Sequence, residues 1–475
     1  MRRALTLYVL KRLAIAIPVL LVVSLVAFFL SRATPGDIVQ EYIALSRDLV
    51  PGAQSYLQRQ REYRQATVRL DRHLPPFYFA IRPAHHPDTL YRILRKDERQ
   101  AARSLLARHG DWGAVDAYRR SILDLMYVLE QQRSDQADWI SPLAQDAEFL
   151  LVNAVPERIG FLQEQMRSVI PDSGHASRRA LQLIEERYRA LTGSRRSAAA
   201  FLPALHWYGW DNQYHRWLSR ILRGDFGISL VDGRTVTHKV RDAVGWTLRI
   251  NLTAILLAFL IAVPLGVMAA RRAGTVFDRS VSTLLFAFFA IPSFWLATLL
   301  VVFFTTPEYG AWTDLFPTSG IGTYRTASGL ARLGILASHL FLPVLCLLLA
   351  ALAYLTRQMR GGMLRELGQD YIRMARAKGL SERRVYWGHA FRNALFPMIT
   401  ILGAAIPASI SGSVIIEVIF NIPGMGRLLY DGVLQQDWPV VFVIVLLSAL
   451  LTVIGYLVSD VLYRMVDPRV RLTQR

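Results

Sequence analysis

YIRMARAKGLSERRVYWGHAFRNALFP, Tyr371–Pro397, is a basic stretch held between two long apolar runs, about Leu340–Leu355 and Leu395–Phe420. Hydrocarbon does not take in a segment carrying Arg373, Arg376, Lys378, Arg383, Arg384 and Arg392, because each unpaired charge there costs kilocalories. The stretch therefore lies in water, on a lipid surface or on a partner. The apolar runs beside it read as membrane spans, and this makes the fold an all-α integral membrane protein.

Other runs of the same kind lie along the chain. The first is LAIAIPVLLVVSLVAFFL, Leu13–Leu30. At 1.5 Å per residue such a run crosses about 30 Å of hydrocarbon. Arg2, Arg3, Lys11 and Arg12 precede it and hold the N-terminus in the cytoplasm. A cleavable signal peptide is the competing reading. The run is long for one, and SRATPGD rather than an A-x-A-like site follows it. Further runs at about Leu248–Ala270, Leu284–Phe304 and Val440–Tyr463 bring the expected number of spans to six. Pro264, Pro292, Pro343 and Pro407 interrupt them, which membrane helices tolerate when neighbours satisfy the freed carbonyls.

Charge sets the expected orientation. Arg271, Arg272 and Arg279 lie between the second and third spans, and nine basic residues from Arg357 to Arg392 lie between the fourth and fifth. The tail adds Arg464, Arg469, Arg471 and Arg475. The alternate loops hold only Arg427 in 421–439 and Arg325 and Arg332 in 305–339. Both termini are expected in the cytoplasm of a bacterial inner membrane. The net charge of +19 is then membrane topology, and no nucleic-acid partner is expected.

Three regions follow: 1–30 with the first span, an extracytoplasmic 31–247, and a five-span core 248–475 whose cytoplasmic loop is 356–394. The middle region is too long for a connector. Its residues 85–200 show helical stripes. Leu90, Ile93, Leu94, Ala101, Leu105 and Leu106 form one, with Asp88 as N-cap and Gly110 as stop. Val115 to Leu129, Ile159 to Val169 and Leu181 to Leu191 form three more. The expectation is a small all-α insert, either a bundle or a few stacked hairpins.

Catalytic chemistry finds no motif. A phosphate-binding loop needs Gly before its Lys. Lys11, Lys96, Lys239 and Lys378 follow Leu10, Arg95, His238 and Ala377 instead. If ATP drives this protein, another chain hydrolyses it. The one cysteine, Cys346, excludes an internal disulfide. His85-His86 in RPAHHPD reads as a polar turn, and no metal site is expected. Glu417 and Asp460 lie near span ends and read as helix-packing or hydrogen-bonding groups.

At ARAKGLSERRV and HAFRNALFP the chain resembles the EAA loop of ABC-importer permeases, in its dipeptide and oligopeptide branch. With Gly379 as the pattern's glycine, the triplet positions hold Arg373, Met374 and Ala375, so the Glu is absent, and the later Leu-Pro is displaced to Phe396-Pro397. Other stretches agree. They are TPGD (34–37), LRGDFGISL (222–230), DVLYRMVDPRVRL (460–472) and FNIPGMGRLLYDGVLQQDWPVV (420–441), the last with Pro423, Gly424, Gly426, Asp437 and Pro439 in the family's places as a structural loop. Leu70–Phe79 and Asn212–Gly227 also resemble family segments, which run nearly directly into one another in typical members.

The resemblance implies a transport subunit, not an enzyme, forming half of a pore for peptides or similar small solutes. It implies docking to a separate ATPase through Ala375, Ala377, Lys378, Gly379, Leu380, Ser381, Arg383, Arg384, Asn393 and Pro397. Gly379 permits a tight turn and Ser381 caps the helix after it. Gly403, Ala404, Ala408, Ser409, Ser411, Gly412 and Glu417 are candidates for pore lining or helix packing. The implied partners are a homologous second permease, two ATP-binding subunits that carry ATP and Mg, an extracytoplasmic substrate-binding protein and membrane lipid. This chain is expected to bind no cofactor. The competing readings are a channel or ion-coupled transporter without ATP, and a membrane-anchored scaffold whose insert does the work.

Overall fold

The computed structural model describes residues 2–33, 36–46, 56–83, 86–132, 138–171, 174–193, 202–317, 319–322, 328–410 and 413–466. The chain divides into two units, Met1–Thr34 with Phe226–Arg475, and Pro35–Asp225.

The first unit begins with α1 (Arg2–Ala33). Ile15, Ile17, Val19, Val22 and Val26 are exposed on it. Its stretch 13–31 carries no charge, and an uncharged helical run with apolar side chains facing outward is suited to lipid.

The second unit opens with α2 (Ile38–Ser46) and α3 (Tyr56–Arg69). Asp37 caps α2 by accepting from Val39 N–H at 3.0 Å, and Tyr63 Oη donates to the same carboxylate at 2.7 Å. Strands β1 (Phe79–Pro83) and β2 (Pro203–Trp207) pair antiparallel, Phe79 opposite Trp207 and Pro83 opposite Pro203. Between them lie α4 (Lys96–His109), α5 (Trp112–Gln132), α6 (Ile140–Val152), α7 (Pro156–Val169) and α8 (His175–Gly193). Their stripes close on one core that includes Leu106, Tyr118, Leu125, Leu143, Ile159, Met166, Ile184 and Leu191.

One local expectation changes here, and two elements appear that the sequence did not mark. Asp88 does not cap the first helix, which starts at Lys96 after a single tight turn, Leu90–Arg92. Helix α6 lies outside the four stripes read from the sequence; its Leu143, Ala147 and Leu150 are fully buried. A two-stranded ribbon, 79–83 with 203–207, flanks the 85–200 region expected to be all-helical and lies outside it, each strand finding its partner far along the chain. Gly110 does end α4, in the left-handed conformation at φ +77°.

The ribbon brings together the two stretches the sequence separates. Tyr208 N–H donates to Tyr78 O at 2.8 Å and Gln213 N–H to Pro75 O at 2.9 Å. Helix α9 (Gln213–Leu222) is capped by Asn212, and its Arg216 and Arg220 both pair with buried Asp71.

The first unit resumes with α10 (Val236–Arg271), then α11 (Val276–Ala290), α12 (Ser293–Phe304) and α13 (Gly329–Leu367). Short α14 (Asp370–Ala377) and α15 (Glu382–Arg384) lead through a π-helical turn, Val385–Ala390, into α16 (Phe391–Ile410). The chain then forms α17 (Val414–Ile419), α18 (Met425–Leu434) and α19 (Trp438–Val466).

Among the described residues four helices are long and apolar enough to cross a membrane, or up to five with the pair α11 and α12. That pair bends by 94° at its break. The third span, expected at about Leu284–Phe304 with Pro292 tolerated inside it, is thus not one continuous helix. Proline lacks an N–H and disfavours helical backbone in the residue before it. Ile291 is accordingly extended, at φ −79° and ψ 122°. Pro264 and Pro343 stay inside α10 and α13. The expected fifth span is likewise divided, α16 ending at Ile410 and α17 being short.

Helices α10 and α13 pack over much of their length. Ala254, Ala258, Ala262, Gly266 and Ala270 recur every fourth residue on α10, all buried. A Cβ at Gly266 would stand 2.6 Å from Met359 Cβ and 2.9 Å from Thr356 O. Small residues at this spacing let two backbones approach closely where lipid supplies no hydrophobic drive. Arg360 on α13 holds α11 through a two-pronged pair with buried Asp278, at 2.6 Å on each oxygen. Arg12 pairs with Asp460 at 3.2 Å, joining α1 to α19.

Candidate functional site

The basic stretch is built on a helix stop. Gly379 has φ +75°, a conformation that strains any side-chain-bearing residue. Its N–H donates to Arg376 O at 2.9 Å, and Leu380 N–H donates to Ala375 O at 3.3 Å. These two bonds close the end of α14 in a Schellman motif, with Leu380 and Ala375 both packed on one apolar cluster. Ser381 stands at the N-cap of α15 in extended backbone, and its carbonyl accepts from Arg384 and Val385 N–H at 2.9 and 3.0 Å. Its hydroxyl makes no capping bond, contrary to expectation. One short turn before the π-helical segment needs only the carbonyl.

The stretch has two faces. Ile372, Ala375, Val385, Ala390 and Ala394 are buried against Met359 and Met363 of α13. Ala377, Lys378, Gly379, Ser381, Arg383 and Arg384 are exposed. Arg376 pairs with Glu382 across the turn at 3.0 Å. Among the described residues Lys378, Arg383 and Arg384 have no carboxylate in ion-pair reach. Ala375 therefore anchors the stretch, while Leu380 and Pro397 are half-buried. Asn393 is also half-buried, and its Nδ2 donates to Tyr371 Oη at 2.9 Å. The most exposed large apolar residues of the stretch, Met374 at 59% and Trp387 at 43% exposure, were not among the expected docking residues. The signal for Met374 was present, since the period that buries Ile372 and Ala375 turns it outward.

A second cluster forms around the loop 420–441. Glu417, 2% exposed, accepts from Thr247 Oγ1 at 2.8 Å and from Arg427 N–H at 3.0 Å. Met425 N–H donates to Thr247 Oγ1 at 2.8 Å. Gly424 and Gly426 allow this, since a Cβ on Gly424 would collide with the Glu417 carboxylate and one on Gly426 would lie 2.7 Å from Val414 Cα. Pro423 is exposed at the turn. Pro439 sits in the first turn of α19, where its missing N–H costs nothing. Buried Asp437 accepts from Ser229 Oγ and from Leu230 N–H, the latter at 3.1 Å. The Ser229–Leu230 end of LRGDFGISL and the 420–441 loop, far apart in sequence, thus share one buried carboxylate.

Lys239 lies 3.7 Å from Asp437 and 2.9 Å from Asp232. Burial would raise the Asp232 carboxyl, but Lys239, the Ser229 hydroxyl and the Arg234 N–H outweigh it and hold it below its ordinary 3.8. A depressed carboxyl contributes stability that is present above its unfolded value and lost as pH falls through the folded one. Lys239→Met is therefore expected to lower the melting temperature at about pH 7, with a deficit that shrinks as pH falls below the ordinary carboxylate value and through the folded one. A deficit that stays the same as the medium is acidified until the wild type unfolds would contradict the pairing.

The remaining candidates separate. Gly403 is buried, and a Cβ there would collide with Ser459 Oγ on α19, so it is a packing residue. Ala404 is exposed. Ala408 and Ser409 belong to α16, while Ser411 and Gly412 lie outside the described residues. Glu417 is enclosed by its hydrogen-bond partners. Asp278 and Arg360, unmarked as a pair by the sequence, owe their meeting to the approach of α11 and α13.

Residues 262–472 match the family described as binding-protein-dependent transport system inner membrane component. The chain is 41% identical over 259 residues to the oligopeptide transport system permease protein AppB of Bacillus subtilis, covering 54% of this chain and 79% of that protein. It is 36% identical over 282 residues to the di/tripeptide transport system permease protein DppB of Pseudomonas aeruginosa, covering 56% and 84%. Among solved structures, a chain of the MetNI methionine ABC transporter in inward-facing conformations aligns at 16% identity and TM-score 0.38, over 48% of this chain and 96% of that one. The chain belongs to the binding-protein-dependent inner membrane component family, as a multi-pass permease subunit of an ABC importer whose ATPase resides in separate subunits.

Proposed function

We propose that this permease carries peptides or similar small solutes, as the names of its relatives suggest, and that Tyr371–Pro397 is where the ATPase docks. One observation supports the docking most directly. The inner face of the stretch is buried on α13, and its outer face presents Lys378, Arg383 and Arg384 with no carboxylate in ion-pair reach among the described residues. A helix–glycine–helix turn fixed on one side and open on the other is a lever. Force applied to the open face passes through Ile372, Val385 and Ala394 to Met359 and Met363, and so to α13 and α16. Two ATP-binding subunits that close on ATP and Mg would then bias the spans between two rigid-body arrangements.

In this reading a homologous second permease supplies the other half of the pore, and an extracytoplasmic binding protein delivers the solute. Six spans place both termini in the cytoplasm. The region 31–247, with its helical insert at about 85–200, then lies outside the membrane. The five-span core 248–475 carries the cytoplasmic loop 356–394.

Cys346 is buried and is the chain's one cysteine. A cysteine introduced at exposed Ser381 is therefore the reactive thiol of the chain. In the assembled transporter, Ser381→Cys is expected to cross-link to the ATP-binding subunit through a short bifunctional reagent. Cross-linking only to lipid, with the complex intact, would leave the stretch as a basic loop held by anionic headgroups.

A further inference from the structure

In the unit Pro35–Asp225, a cleft of about 780 Å³ opens between α3, the turn that follows it, the start of α4, and α5. Its size is that of a small-molecule site. Five guanidinium groups line it, from Arg61, Arg64, Arg92, Arg95 and Arg119, against one carboxylate, Glu98.

The floor of the cleft is internally balanced. Glu98 is buried, accepts from Tyr56 Oη at 2.8 Å, and lies 3.5 Å from both Arg95 and Arg119. Arg95 also pairs with Asp97 at 2.6 Å and Glu148 at 2.8 Å. The rim is not balanced. Arg61, Arg64 and Arg92 are exposed, and among the described residues no carboxylate lies within ion-pair reach of them. Arg119 Nε and His73 Nδ1 are buried and have no hydrogen-bond partner among the described residues. A buried polar group without a partner is destabilising, and a bound acceptor removes that cost for a donor such as Arg119 Nε. Leu74, Leu94 and Tyr91 add apolar wall between the charges.

We propose that this cleft binds a small ligand with a carboxylate on an apolar body, and that the free C-terminus of a short peptide is its source. Guanidinium forks take a carboxylate through two parallel bonds, and the apolar wall takes the adjoining side chain. With Glu98 saturated by its own partners, the site selects for the anionic end. The choice of a peptide as source rests on the peptide-permease reading; the anion site itself does not.

The test uses the full chain in nanodiscs of neutral phosphatidylcholine, with titration calorimetry of trialanine, trialanine amide and inorganic phosphate. Trialanine is expected to bind, its C-terminal amide about tenfold or more weaker. The triple variant Arg61→Gln/Arg64→Gln/Arg92→Gln is expected to lose about tenfold or more in trialanine affinity at an unchanged melting temperature. Equal binding of acid and amide, or of trialanine by wild type and variant, would overturn the proposal. Phosphate binding without trialanine binding would overturn the carboxylate assignment. The acid–amide comparison needs no variant, so it holds even if the triple substitution disturbs folding. Binding without peptide uptake by the assembled transporter would remove the peptide-permease reading and leave the site; uptake without binding would remove the site alone.

Discussion

Replacing Gly379 with tryptophan is expected to cut uptake about tenfold or more while leaving the protein in the membrane at normal abundance. The geometry separates the two effects. Gly379 adopts φ +75°, so any side chain there meets left-handed strain of about 1–2 kcal/mol. A Cβ at this position has nothing within 4 Å, so the added ring points into open space and disturbs no packing of the chain itself. If a partner seats on this face, the indole occupies that seat. Gly379→Ala carries the same strain without the bulk. Uptake is expected to fall about tenfold or more with Trp, which corresponds to about 1.4 kcal/mol or more of lost docking, and by less with Ala. ATP hydrolysis by the partner would persist without transport. Normal uptake by the Trp variant at normal abundance would remove the docking role.

The second large effect is expected inside the membrane unit. Gly266→Leu should destabilise the fold by about 1–3 kcal/mol or more, read as a lower melting temperature in detergent and reduced membrane abundance. A Cβ at 266 would meet Met359 Cβ at 2.6 Å and the Thr356 carbonyl at 2.9 Å. The methionine can shift, but the carbonyl belongs to the backbone of α13 and cannot move without separating the helices. Gly245 on the same helix is the control, with nothing within 4 Å of its Cβ. Gly245→Leu should change stability by no more than about 0.5 kcal/mol. Equal effects at the two sites would show that α10 and α13 are not held by this close crossing.

The basic stretch reads differently in the two views. Its glycine stop was legible, because only a few backbone conformations end a helix and glycine suits one of them. Its division into a buried face and an open one was legible in part, through the period of Ile372 and Ala375. That Ala375 and Asn393 serve the chain itself, while Met374 and Trp387 face outward, follows from the packing of α13 beneath them.

By itself the sequence determined that the chain has long apolar membrane helices and an amphipathic helical insert. Both are local properties. A run of apolar residues is long enough to cross hydrocarbon or it is not, and a 3.6-residue period marks a buried face wherever it occurs. Tertiary structure decided what depends on a distant partner. Pro292 bends its helix pair by 94°, while Pro264 and Pro343 stay within unbroken helices. Phe79–Pro83 becomes a strand because Pro203–Trp207 arrives beside it. Asp437 is satisfied by Ser229 and Leu230, and Asp278 by Arg360, through contacts between segments far apart in sequence. A buried carboxylate requires a partner, but the sequence does not say which one, because that choice is made by the helices that bring the two together.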